Sequence, residues 1–230
     1  MELSKHNTDS ELEIKKSAVL NSGWSAKARS DAFERLAKSG LPTVRDEYWK
    51  YTNPKTLTNK IVEKASLLTE HDSDIFKSVS PLKIVFVDGK FSPEKSDELI
   101  LSGLSIERLD TIKKLDLHWA KELYGRYEKL GQLSVSRPLA AFNTAYANEG
   151  LIIRVTDRVE CPINIIYEHE DEYSDVILHH VIKIDSNAEL TLLESGAAGA
   201  RLNQVLEVEV NEDAKFNHIR VLGRDHERRA

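Results

Sequence analysis

Val155-Thr-Asp-Arg-Val159, Ile184-Asp-Ser-Asn-Ala188 and Val210-Asn-Glu-Asp-Ala214 are three copies of one pattern. Each opens on an apolar residue, turns through three polar ones and lands on a small or branched apolar one. An apolar stretch follows each copy: Ile163-Asn-Ile-Ile-Tyr167, Leu190-Thr-Leu-Leu193 and Phe216-Asn-His-Ile219. The last two copies align at an offset of 26 (214 − 188), the first two at 29 (188 − 159). A period of this size marks a stacked array in which each unit buries its apolar face on the next. The core is therefore expected between Asn143 and Leu222.

Within that stretch, Asp175–Asp185 alternates. Val176, Leu178, His180, Ile182 and Ile184 share one face of a strand, and Ile177, His179, Val181 and Lys183 the other. Leu206, Val208 and Val210 likewise oppose Glu207 and Glu209. No Asn-Gly or Asp-Gly dipeptide, the strongest short hairpin signal, follows Gly150. The repeat and this absence favour parallel coils of a β-helix over an antiparallel sandwich, the second choice.

Upstream, residues 1 to about 40 read as two helices. The first has a capping box at Thr8-x-x-Glu11, with Leu12, Ala18 and Leu20 as its stripe, and ends near Ser22-Gly23. The second runs from about Ser25 to a left-handed cap at Gly40, and Pro42 forbids its continuation. Leu41-Pro-Thr-Val-Arg-Asp-Glu-Tyr-Trp-Lys-Tyr-Thr52 places three aromatics in four positions among charges. Composition favours a short surface helix pinned to the body by Trp49. A ligand platform is the weaker reading, because no phosphate-cradling glycines accompany it. Phe86-Val-Asp-Gly89 predicts a tight hairpin, since both central residues of that turn need positive φ. Ile106, Leu109, Ile112, Leu115, Trp119, Leu123 and Tyr127 give a helical spacing over Ser105 to about Leu130. Arg137–Ala147 reads as a further short helix, and Gly150 opens the strand region. Two regions follow: 1–148, mainly helical with a small hairpin near 83–91, and 149–230, the coils.

Of the 230 residues, 40% are hydrophobic and 30% charged, which suits a folded soluble chain. The net charge of −6 argues against a nucleic-acid platform. No apolar run has the length of a membrane span. One cysteine, Cys161, excludes an internal disulfide framework and suits a reducing, cytoplasmic setting. With Glu160 beside it, a neighbouring carboxylate disfavours the reactive thiolate. His179 and His180 point to opposite faces of a strand, so they cannot readily share one ion. Glu168-His-Glu-Asp-Glu172 lacks the spacing of a calcium loop and reads as a solvated acidic turn. Glu207 and Glu209 lack the opposing groove wall that paired-carboxylate sugar chemistry needs. Ser195-Gly196 and Gly199 read as a flexible turn without a nucleophile elbow. No catalytic, cofactor or metal residue is assigned.

Gly40-Leu-Pro-Thr-x-Arg45-x-Glu47-x-Trp49-Lys-Tyr-Thr52 resembles the N-terminal signature of the SufD family of iron–sulfur cluster assembly scaffolds. Phe86-Val-Asp-Gly89, Phe142-Asn-Thr-Ala145, Gly150, Pro162-Ile163 and Asn217-His218 match in the same order. The signature residues Leu41, Pro42, Arg45, Glu47, Trp49, Lys50, Tyr51 and Thr52 carry the resemblance with no assigned role. It implies an α+β fold, a helical N-terminal region followed by a right-handed parallel β-helix. It implies a non-catalytic subunit acting with a SufB-like scaffold and the ATPase SufC. The iron–sulfur cluster is then the product of the whole complex, and this chain alone binds no cofactor. A SufD-like chain continues roughly as long again, through the parts that dock SufB and SufC and carry the thiol and imidazole groups of cluster formation. The 230 residues are accordingly expected to be an incomplete copy, and no functional residue is carried onto Cys161 or His218. The competing expectations are a carbohydrate-active β-helix enzyme and a stand-alone binding domain.

Overall fold

The computed structural model describes residues 15–67 and 75–221. The Thr8–Glu11 capping box, Leu12 and the tail at Arg224–Ala230 lie outside them. The architecture is mixed α/β, two stacked sheets of mostly parallel strands with a layer of helical segments on one of them. Strand β1 (Leu82–Val87) turns into β2 (Lys90–Phe91), and β3 is Leu104–Arg108. Six strands then alternate between the sheets: β4 (Leu151–Val155), β5 (Ile163–Glu168), β6 (Asp175–Ile184), β7 (Glu189–Gly196), β8 (Arg201–Val210) and β9 (Lys215–Arg220). One sheet has the order β2-β1-β5-β7-β9, the other β3-β4-β6-β8, and neither closes into a barrel. Both sheets thus draw strands from either side of residue 148.

The repeat is the pairing register. Ile152 pairs with Val181 and Ile163 with Leu192, each 29 positions on. His180 pairs with Leu206 and Leu190 with Phe216, each 26 positions on. All four ladders are parallel, which removes the antiparallel sandwich. The corners stack as well. Asn187 and Asp213, also 26 apart, both take positive φ, at 64° and 56°. The Asn187 N–H donates to the Glu212 carbonyl and the Lys215 N–H to that of Ala188. Asparagine tolerates this conformation better than any β-branched residue. Asn187→Gly should therefore be near neutral in thermal unfolding and Asn187→Val should cost about 1–2 kcal/mol. Equal losses for the two would mean that the side chain, not the backbone angle, holds the corner.

The main core lies between the sheets. Leu178, Ile182 and Ile184 from one meet Ile163, Ile165, Leu190 and Leu192 from the other, all essentially sealed from solvent. The alternation foreseen for β6 holds, with its even-numbered residues inward. The predicted hairpin is present, Asp88 and Gly89 having φ of 47° and 77°. Gly150 opens β4 at φ 148°, where a Cβ would lie 1.9 Å from the His179 carbonyl oxygen.

Helix α1 spans Ala26–Ser39 and ends at Gly40 as foreseen, φ 71°. The helix expected before it is reduced, within the described residues, to one 3₁₀ turn at Lys16–Ala18. The short α2 covers Lys55–Thr58. The single helix expected over 105–130 is wrong. Ser105–Arg108 belongs to β3, antiparallel to β4 with Ile106 opposite Ile153. The chain then makes α3 (Leu109–Ile112), a 3₁₀ turn at Trp119–Glu122 and α4 (Arg126–Gly131). His118 caps the 3₁₀ turn through Nδ1, and Gly125 at φ 74° breaks the run. The 3–4 spacing was real but is satisfied by separate turns. Leu109, Ile112, Leu123 and Tyr124 pack with Trp24 against Ile152 and Val181 on the outer face of the four-stranded sheet. Helix α5 (Pro138–Tyr146) completes the layer, lying on β6 and β8 with α1 across it.

Candidate functional site

The signature residues form a strap along one side of this layer. Leu41 and Pro42 anchor its start, where Leu41 packs on the cluster of Leu36, Ala141 and Phe142. A 3₁₀ turn at Glu47–Trp49 replaces the expected surface helix, and Asp46 fixes it by accepting the Thr43 N–H at 2.6 Å. Beyond α2 the strap is tied at Asn59, whose carbonyl accepts from the Arg201 guanidinium at 2.7 Å. Arg201 is itself buried and paired with Asp175. Arg45, Glu47, Lys50, Tyr51 and Thr52 are exposed, with the Lys50 ammonium 5.3 Å over the Tyr51 ring. Trp49 is half-buried and pins the middle of the strap, as its sequence context suggested.

The indole stands at the junction of three adjoining hollows. One of about 250 Å³ reaches past Leu57, Leu139 and Phe142 to residues 201–205 of β8, the edge strand of its sheet. One of about 300 Å³ lies against Val135, Arg137 and Pro138. One of about 330 Å³ lies against Leu41, Pro42 and Tyr48. Trp49→Ala should raise hydrogen exchange across residues 41–58 and cost about 1–2 kcal/mol, less than a fully buried tryptophan. Unchanged exchange there would show that the strap ends, not Trp49, hold it down.

The helical layer is joined to the stack by Glu207. Its carboxylate accepts backbone N–H groups from Gly125 (2.5 Å), Tyr127 (2.8 Å) and Glu128 (3.0 Å) at the start of α4. It also accepts from His179 Nε2 at 2.8 Å, and both side chains are buried. Burial pushes Glu207 up, but the His179 hydrogen bond and the backbone donors outweigh it and hold the carboxyl below its ordinary range. Burial lowers His179, more than Glu207 restores it, so the imidazole is neutral with its proton on Nε2. Its ring stacks on Tyr124 at 4.2 Å, and Tyr124 donates to the Thr144 carbonyl of α5. Glu209 is engaged by Lys183, Arg126 and the Tyr127 hydroxyl. Neither carboxylate is thus disposed for acid–base work.

A second polar group lies inside the core. Tyr167 donates to Glu194 at 2.7 Å, Gln204 donates to both, and His218 Nε2 reaches the other Glu194 oxygen at 2.6 Å. His180 Nδ1 accepts the Leu151 N–H at 3.0 Å, so its proton sits on Nε2, 3.3 Å from the Tyr167 hydroxyl. That tautomer leaves no lone pair at Nε2 for a metal ion. Burial lowers His180 to about 4. For Glu194, burial pushes upward, but hydrogen bonds from Gln204 and Tyr167 and the charge of Arg220 outweigh it. Sequence reading missed this cluster. Ser195-Gly196, read as a flexible turn, instead ends β7. The signal was strand parity, because Leu190 and Leu192 face inward and Glu194 must follow them.

His179 and His180 do point to opposite faces, one to Glu207 and one to Tyr167. The acidic run 168–172 is folded against the hairpin, Asp88 accepting the N–H groups of Glu170 and Asp171, and Lys95 pairs with Glu168 and Glu170. Cys161 is half-buried, its Sγ 3.6 Å from the Ser80 carbonyl oxygen. Among the described residues no three His, Cys, Asp or Glu side chains are grouped to hold a metal ion. No described helix is long and apolar enough to cross a membrane.

Comparison with known proteins places the chain by sequence. The chain is 27% identical over 164 residues to the iron–sulfur cluster assembly protein SufD of Escherichia coli (strain K12), a match covering 70% of this chain and 36% of that protein. It thus spans little more than a third of that relative's length. Residues 5–165 match the family described as SufBD protein N-terminal region. Strap, hairpin, α5 and β4 all lie within those residues, and the chain, SufD-like in sequence, belongs to the SufBD family.

Proposed function

We propose that the chain is a non-catalytic scaffold subunit in iron–sulfur cluster assembly, acting with a SufB-like scaffold and a SufC-like ATPase. The observation that carries this reading is the family match over residues 5–165. The register of 26 and 29 residues adds to it, because strands that alternate between two sheets and pair in parallel one turn of chain further on are how a parallel β-helix is built. On this reading the coils wind right-handed, 1–148 supplies the helical segments together with the strands β1–β3 that join the two sheets, and the protein works in the cytoplasm. The cluster is cargo assembled by the complex, and ATP hydrolysis belongs to the SufC-like partner. Glu207 and Glu209, the carboxylates a sugar-cleaving enzyme would need, are consumed in holding the helical layer.

The test is to delete the gene in the native organism and assay a cluster-dependent dehydratase under iron limitation. An affinity tag on the chromosomal copy reports its partners in parallel. The reading expects a several-fold fall in dehydratase activity, and an ATPase and a sister scaffold purifying with the tag. Full activity in the deletion, with neither protein attached, overturns it.

A further inference from the structure

We infer that residues 92–97 are a built-in edge cap, filling in cis the place where a second copy of the chain would otherwise add its own β1 strand. Among the described residues, the outer side of β1 carries only β2, which is two residues long and pairs with Phe86 and Val87. The rest of β1 would thus be a free edge. Lys83 and Val85 turn their backbone groups toward it, away from β5. A bare row of this kind is a template for strand addition.

Segment 92–97 fills the row group by group. The Ser92 N–H donates to the Val85 carbonyl and the Asp97 N–H to that of Lys83, both at 2.9 Å. Side chains supply the acceptors. Ser96 Oγ takes the Val85 N–H at 2.9 Å, and Asp97 Oδ2 takes the Lys83 N–H at 2.8 Å. The Ser96 hydroxyl is aimed by donating in turn to the Ser92 carbonyl at 2.7 Å. Pro93, inside the cap, has no N–H to offer a newcomer. Lys95 pins the cap to the end of β5 through Glu168 and Glu170, at 2.6 and 2.7 Å. Water alone would satisfy these groups at an exposed edge, so their complete capture by one short segment is a protective arrangement. The excluded strand is a second copy because the edge is self-complementary. Antiparallel about a two-fold axis at Ile84, Lys83 of one copy stands opposite Val85 of the other, and no like charges meet.

The test is sedimentation velocity of the full chain over a range of concentrations, with amide hydrogen exchange on the same samples. S96A/D97P removes three of the four contacts between cap and edge, whereas S96T/D97N retains an acceptor at each position. S96A/D97P should exchange the Lys83 and Val85 amides about tenfold faster when dilute, as loss of their acceptors allows. It should also form a dimer at concentrations where the parent chain and S96T/D97N form none beyond their own baseline. Adding K83P removes one edge donor at a position where proline is tolerated, and should abolish that dimer. Exchange no faster at 83 and 85, sedimentation identical to the parent, or a dimer that survives K83P would each overturn the inference. If S96A/D97P loses protection across the whole sheet, S96A/D97A, which keeps the N–H of residue 97, is read by the same criteria. None of these readouts involves iron–sulfur chemistry, so they stand or fall apart from the assembly role.

Discussion

Glu207→Ala is expected to destabilise the fold by about 3–5 kcal/mol, because it removes one ionised acceptor shared by several donors and each buried donor left unpaired costs about 1–3 kcal/mol. The variant deprives three backbone N–H groups, those of Gly125, Tyr127 and Glu128, of their acceptor in one step. Buried donors without partners cost more than the hydrogen bonds were worth, because water cannot reach them. His179 also loses its acceptor, and its ring is the surface on which Tyr124 stacks. The loss should centre on the docking of 119–131 to the sheet. Urea denaturation followed by tryptophan fluorescence is a suitable measure, since Trp24 and Trp119 both belong to that cluster. Glu207→Gln keeps one acceptor oxygen but turns an amide N–H₂ toward other donors, and should fall between, at about 2 kcal/mol. If Glu207→Ala lies within about 1 kcal/mol of the parent, the carboxylate is dispensable and apolar packing alone joins the layers.

How much of this was legible in the sequence depends on the range of the interaction. The stack was legible, because coil-to-coil pairing repeats a local pattern, and Ile184–Ala188 and Val210–Ala214 are superposed corners. The hairpin was legible from Asp88-Gly89 for the same local reason. The run 105–130 was misread because apolar spacing reports which residues are buried, not how the backbone between them is bonded. Ile106 is buried by pairing opposite Ile153, which no window around Ile106 contains. The strap was visible as a motif, but its groove was not, since the facing wall comes from 133–140 and 201–205. Glu207 could be placed on a strand face, but its partners lie about 80 positions upstream. The cluster around Glu194 was within reach, because Phe216, His218 and Arg220 continue the inward parity of Leu190, Leu192 and Glu194.

That inner cluster makes stability fall with acidification, and the sign follows from the direction of each shift. His180 is depressed from 6.5 to about 4, chiefly by burial, with Glu194 opposing. A group whose folded pKa is depressed contributes stability that is present above the unfolded pKa and lost as pH falls through the folded one. For His180 the window runs from about 6.5 down to about 4, and the loss is on the order of 3 kcal/mol. His179 is lowered too and acts in the same sense. Glu194 and Glu207, both held below the ordinary carboxylate value, add their losses below about 4.5. Glu128 and Glu149, raised mainly by burial, act in the opposite sense at higher pH, because in the fold they take up a proton above about 4.5 and so relieve a buried charge. Urea midpoints measured from pH 7 to 4 should therefore drop, with the decline beginning near pH 6.5 and not at the carboxylate range. Imidazole NMR separates the contributions, since His180 should remain the neutral Nε2–H tautomer at pH 5 while a surface histidine is largely protonated. His180→Gln should be less stable at pH 7, where the Leu151 N–H loses its ring acceptor, yet show a shallower slope between pH 6.5 and 4.5. A His180 that titrates near 6.5, or a slope unchanged in the variant, would place the acid sensitivity elsewhere and leave the hydrogen-bonded chain from Leu151 to His218 without a share in it.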